Sequence, residues 1–263
     1  MHFFWLLNFI AKVERFIGMN FKYIVVVVFV GLWISLFICC NTEEDRLNVF
    51  PSQNYNLSET TSKKIRYLAL GDSYTVGEGV ASSLSWPYQL VDSLSKKNNY
   101  ETTVQVIAET GFMVKDLKQA LPQDLFEKPY NLVSILIGVN DQFLGFSVDE
   151  FRSEFTDLIN LIISKSTVSK TKVFVVSIPD WGSTPFGGNW DRNKVAKSID
   201  AYNNVLKGVC QIQQIEYINI TDISRIGPND WTLVAEDGLH PSGKMYGFWL
   251  ERIFPRVLKI LQR

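Results

Sequence analysis

Five short apolar runs, each separated from the next by a longer stretch of polar or helical character, constrain this chain more than any other feature. They fall at residues 64–70 (KIRYLAL), 102–108 (TTVQVIA), 131–137 (NLVSILI), 172–178 (KVFVVSI) and 215–220 (IEYINI). Runs this short and this apolar read as strands buried on both faces. Between them lie helical signals. Ser85 with Pro87 opens a helix to about Lys97, and Val114, Leu117 and Leu121 share a helical face after Gly111. Ser147 and Glu150 form a capping box ahead of Phe151, Phe155, Leu158 and Ile162. A long helix is expected over residues 192–213, and Ser242 caps a last one in which Pro255 predicts a kink or a break. Alternation of this kind implies an α/β fold of three layers, α/β/α, around a five-stranded parallel sheet. The order 2-1-3-4-5 suits it, and ligands of such sheets bind beyond the carboxyl ends of strands 1 and 3.

The chain has 263 residues, enough for one sizeable core without a second domain. A net charge of −1 gives no electrostatic footprint for nucleic acid. No metal-ligand spacing occurs, and the three cysteines, Cys39, Cys40 and Cys210, draw no disulfide framework. Cys210 is expected to be a buried helix residue. Of the two histidines, His2 lies in the N-terminal tail, so histidine chemistry in the domain falls to His240.

Residues 23–40 (YIVVVVFVGLWISLFICC) carry no charge and have the length of a secretory core or a single span. Met19 is the start that best fits a signal, since MNFK would then lead directly into the apolar run. The end of the run, FICC followed by NTEEDR, resembles a bacterial lipoprotein signal with Cys40 as the lipidated residue. An uncleaved signal anchor is the other reading. In either case residues 1–40 form an address segment and residues 41–62 a polar tether. Residues 63–263 form the domain, held at a membrane outside the cytoplasm.

The loops after the first and third expected strands are GDSYTVGEG, with Ser73, and GVND, with Asn140. Gly111 follows the second strand, and DGLHPS sets Asp237 and His240 three residues apart. Serine attack on an ester requires a base, a group that orients the base, and donors for the oxyanion. Each string alone has a plainer meaning: Gly-Asp-Ser as turn chemistry, Asn140 and Asp141 as caps, DGLHPS as a turn before a helix. Together and in order they resemble the SGNH (GDSL-type) hydrolase family, over roughly residues 65–261.

The resemblance implies a serine esterase without cofactor or metal. Ser73 would be the nucleophile, His240 the base and Asp237 its orienting group. The backbone N–H groups of Ser73 and Gly111 and the amide of Asn140 would form the oxyanion hole. GDSY stands where many members have GDSL, a packing position expected to leave the chemistry untouched. SWPYQL (residues 85–90) looks like the lysophospholipase/thioesterase branch, which favours acyl-ester, lysophospholipid or thioester substrates. O-acetylated polysaccharide on the same machinery is the alternative, and a non-catalytic ligand-binding lipoprotein is the contrasting class. The pattern says nothing about oligomeric state.

Other strings are set aside. GEGVAS lacks the third glycine of a dinucleotide fingerprint, and GSTPFGG lacks the lysine of a phosphate loop. No G-x-S-x-G elbow occurs. Residues 180–190, with Trp181, Phe186 and Trp190, read equally well as the lining of an acyl or sugar site and as a packed loop.

Overall fold

The computed structural model describes residues 62–125, 127, 129–165, 172–226 and 230–263. The expected address segment, including Cys40, and the tether up to Thr61 lie outside the described residues.

Strand β1 (Lys63–Gly71) runs into a short helix, α1 (Ser73–Val76), followed by α2 (Trp86–Asn98) and β2 (Tyr100–Ala108). Helix α3 (Val114–Ala120) precedes β3 (Leu132–Leu136), the short α4 (Val139–Phe143) and α5 (Val148–Lys165). Then come β4 (Val173–Val176), α6 (Arg192–Gln213), β5 (Glu216–Ile218), α7 (Thr221–Ser224) and α8 (Gly243–Gln262). All neighbouring strand pairs are parallel. They form a 5-stranded sheet in the order β2-β1-β3-β4-β5, as the alternation predicts.

Right-handed crossovers place helices on opposite faces according to the direction in which the chain steps along the sheet. The step from β1 to β2 is opposite to the later ones. Accordingly α2 packs with α8, while α5 packs with α3 and α6. Every residue of β3 and β4 is buried, which explains their unbroken apolar runs. Trp86 and Trp249 fill the α2/α8 layer, and Phe151 and Phe155 anchor α5, all fully buried.

Local signals held where a side chain reaches a backbone donor. Ser147 Oγ accepts from Glu150 N at 3.2 Å while the Glu150 carboxylate accepts from Ser147 N at 2.9 Å. Ser242 Oγ accepts from Met245 N at 3.3 Å and caps α8. Cys210 is buried in α6. Pro255, where a kink or a break is expected, does not break α8, which runs through it. Its ring removes one donor, that for the Glu251 carbonyl, but both residues lie on the exposed face, where water can serve that oxygen.

Register positions the site. Gly71 is level with Ala108 of β2 and with Leu136 of β3. The three chains therefore leave the sheet side by side at its carboxyl edge, where the reversal in strand order opens a crevice.

Candidate active site

The turn that carries Ser73 needs a glycine before it. A Cβ on Gly71 would lie 2.1 Å from Thr75 Oγ1 and 2.4 Å from the Leu136 carbonyl oxygen, so no side chain fits between β1, α1 and β3. Asp72 follows as the cap of α1, accepting from Tyr74 N at 3.0 Å. Its other oxygen, Oδ2, is buried and has no partner among the described residues. Burial, reinforced by nearby Asp141, pushes the Asp72 carboxyl up to about 8, so it is a neutral acid at pH 7. Ser73 is thereby presented at the first position of α1, where the backbone N–H has no partner within the helix.

His240 and Asp237 come from one tight turn. Asp237 Oδ1 accepts from Leu239 N at 2.8 Å and His240 N at 2.9 Å, and its Oδ2 meets His240 Nδ1 at 2.6 Å. Burial alone would raise the Asp237 carboxyl. The two backbone donors and the imidazole outweigh it and hold the group below the usual carboxylate range. His240 Nε2 lies 3.0 Å from Ser73 Oγ. With Nδ1 protonated toward Asp237, Nε2 is an acceptor aimed at the serine hydroxyl.

Across the cavity, Gly111 adopts φ +88, a conformation natural to glycine, and a Cβ there would touch nothing within 4 Å; the constraint is backbone, not space. Asn140 stands on α4 and donates through Nδ2 to the Phe112 carbonyl at 2.9 Å. Asp141 Oδ2 accepts from Val114 N at 3.2 Å, and burial pushes its carboxyl up to about 6. Thr110 Oγ1 donates to Glu78 at 2.5 Å and ties this loop to the nucleophile loop. The N–H groups of Ser73 and Gly111 have no acceptor among the described residues, so both remain available to a ligand.

Ser73, Gly111, Asn140 and His240 line one cavity of about 180 Å³. Every residue expected at the site except Asp237 borders it, and Asp237 stands behind His240. Among the described residues no group of His, Cys, Asp or Glu side chains is arranged to hold a metal ion. The arrangement sets a hydroxyl against an imidazole nitrogen and brings the Ser73 and Gly111 backbones and the Asn140 amide to the same cavity, the parts that acyl-transfer chemistry uses.

A model of the GDSL-like lipase/acylhydrolase family matches residues 69–248. The chain belongs to this family. It is similar to an arylesterase of Vibrio mimicus, 24% identical over 205 residues that cover 78% of this chain and 94% of that one. Among solved structures, TesA matches with a TM-score of 0.60 at 19% identity, covering 74% of this chain and 99% of its own. The lipase/acylhydrolase of Enterococcus faecalis matches with 0.59 at 20% identity, covering 76% and 96% respectively. Both structures share the fold. As a GDSL-type member, the protein is a hydrolase acting on ester bonds.

Two features of this hydrolase escaped the sequence. Tyr74, the residue that replaces leucine in GDSL, is buried as expected, but its ring also meets His240 edge-on at a centroid distance of 5.5 Å. It packs on the imidazole itself. Phe143 is the second: it lies one helical turn after Asn140 and lines the cavity with Trp181 and Phe186. Its spacing from Asn140 was the available signal. The loop of residues 180–190 thus takes the site-lining option, with Trp190 stacked behind Phe186.

Proposed function

We propose that the protein hydrolyses carboxylic esters of short acyl groups through a covalent acyl-Ser73 intermediate. The observation that carries this reading is the 3.0 Å contact between Ser73 Oγ and a His240 ring already oriented by Asp237. Ser73 Oγ attacks the carbonyl carbon as its proton passes to His240 Nε2. The oxyanion is held by the N–H groups of Ser73 and Gly111 and by Asn140 Nδ2. His240 returns the proton to the leaving alcohol, and water repeats the sequence to release the acid. The cavity beside Ser73 is small, about 180 Å³, below the usual range of ligand pockets, and that supports a short acyl group over a lysophospholipid or long-chain thioester.

A p-nitrophenyl ester ladder from acetate to palmitate, run beside Ser73→Ala, tests this. Turnover should peak at the short end and fall by a factor on the order of 10⁶ in the variant. Retention of substantial turnover by a folded Ser73→Ala protein would overturn the acyl-Ser73 route, and a maximum at palmitate would overturn the short acyl group. Labelling by a fluorophosphonate separates the enzyme from a non-catalytic binder, because only an activated serine reacts quickly.

The uncharged run ending at Cys39 and Cys40 supports a second part of the proposal: export and attachment to a membrane through lipidated Cys40, with residues 41–62 as tether.

A further inference from the structure

The outer edge of β5 carries no further strand, and α6 and α8 flank it from the two faces of the sheet. Between them opens a second hollow of about 590 Å³, larger than the cavity at Ser73 and sharing no residue with it. That volume lies within the usual range of small-molecule sites. Its base is rigid: Asn203 and Thr221 are buried, with Asn203 Nδ2 donating to Thr221 Oγ1 at 3.0 Å.

Cations enter this hollow from both walls. Lys207 stands on α6, while Arg252 and Arg256 stand one helical turn apart on α8. The carboxylates nearby are already committed. Asp200 accepts from Arg225 Nη2 at 2.7 Å, and Asp222 accepts from Arg252 Nη1. Glu216, behind the α8 wall, is shared between Arg256 and Arg263 at 3.4 Å from each. Lys207 has no partner among the described residues, so positive charge is left over on both walls. Like charges gathered in one hollow repel one another, and an anion set between them removes that repulsion. Neutral hydrogen-bonding groups lie beside them. Asn204 is exposed without a partner, and Asn219, whose Oδ1 accepts from Thr221 N at 3.1 Å, keeps its Nδ2.

The ligand's chemistry follows from this layout. A carboxylate has two oxygens in one plane and suits a single guanidinium fork. The oxygens of a phosphomonoester point in separate directions, so they can meet an ammonium on one wall and guanidinium groups on the other. The amides then suit hydroxyl groups on the carbon skeleton. We propose that the hollow beside β5 is a binding site for the phosphomonoester of a polyol, with Lys207, Arg252 and Arg256 on the phosphate and Asn204 and Asn219 on the hydroxyls. The site stands whatever ester is cleaved at Ser73.

Calorimetric titration of the full chain with glucose 6-phosphate, inorganic phosphate, glucose and citrate tests it. Glucose 6-phosphate should bind saturably with a Kd of about 1 mM or tighter, about tenfold below that of inorganic phosphate, and glucose should not bind. Lys207→Gln and Arg256→Gln, both on exposed residues, should each weaken that binding about tenfold through the loss of one charge-assisted contact. Neither residue borders the Ser73 cavity, so kcat on p-nitrophenyl acetate should not change. No saturable binding of glucose 6-phosphate, binding unmoved by both variants, or equally tight binding of citrate overturns the site. Comparing glycerol 3-phosphate with its octyl ether identifies the source of the phosphate. Equal affinities support a free ester, and a gain of about tenfold that Lys207→Gln removes supports the same site on a lipid headgroup.

Discussion

The side-chain amide of Asn140 donates to the carbonyl oxygen of Phe112 at 2.9 Å, so the residue facing Ser73 across the cavity also fastens the loop that carries Gly111. An amide has two hydrogens; Phe112 takes one, and the proposed oxyanion would take the other. Asp141 repeats the tie through Val114 N. The proposed oxyanion donors therefore behave as one braced unit rather than as separate groups.

Asn140→Ala removes a donor and a brace together. We expect kcat to fall by roughly 10²–10³ with KM little changed, because the donor acts mainly on charge that develops in the transition state. Steady-state kinetics on p-nitrophenyl acetate checks it. A folded variant with wild-type kcat would remove Asn140 from the site.

Asp237→Asn separates orientation from turn formation. The asparagine oxygen can still accept from Leu239 N and His240 N, so the turn should persist. Its NH₂ would face His240 Nδ1 and favour the tautomer whose Nε2 carries the proton, useless as a base. A loss in kcat of about 10⁴ at near-constant stability is expected. Kinetics paired with urea unfolding reads both quantities, and a loss of stability matching the loss of rate would mean that Asp237 is only a turn residue.

Stability should depend on Asp72 in a direction that its burial dictates. The native carboxyl, raised to about 8, keeps a proton that the unfolded chain releases near 3.8. The native state then binds more protons between these values, so stability is full below about pH 4 and declines as pH rises toward 8. Asp72→Asn retains the acceptor for Tyr74 N and removes the ionisation. Its stability relative to wild type should improve steadily from pH 4 to 8, by an amount on the order of a few kcal/mol at the upper end. Urea midpoints across that range measure it, and parallel curves for the two proteins would show that Asp72 does not titrate there.

For the N-terminal segment, Cys40→Ala should release the protein from membranes or block its processing, and the wild type should carry fatty acid on Cys40. Fractionation with mass spectrometry of the mature N-terminus decides. Unchanged membrane retention of the variant, together with an unlipidated wild type, would establish a signal anchor.

The sheet was legible because strands buried on both faces leave little room for polar side chains; in LVSIL the one polar residue, Ser134, is buried against the Tyr67 hydroxyl at 2.6 Å. That the candidate residues come together was legible because each sits at a strand end or a tight turn, where few residue types work: glycine at 71, a cap at 72, the Asp237 carboxylate two and three residues before the N–H groups it accepts from. Phe143 and Tyr74 were not. A lone phenylalanine in a short helix reads as core, and only contact with Trp181 and Phe186, far along the chain, turns it into a cavity wall. Tyr74 lies on His240 through a meeting of α1 with the turn before α8 that no local pattern encodes. That α8 does not break at Pro255 was not legible, because sequence does not say that this face of α8 is the wet one.

The level ends of β1, β2 and β3 make catalytic activity a gauge of strand register. Side chains alternate between the faces of a strand and advance about 3.3 Å per residue, so a slip of one position in β1 would shift Ser73 by that distance and invert every inward side chain of the strand. The 3.0 Å contact with His240 could not survive it. Esterase assay during refolding would therefore report the moment at which the central strands pair correctly, a step to which helix-sensitive signals are blind. Single-residue insertions before Gly71 should silence the enzyme even where the chain remains folded.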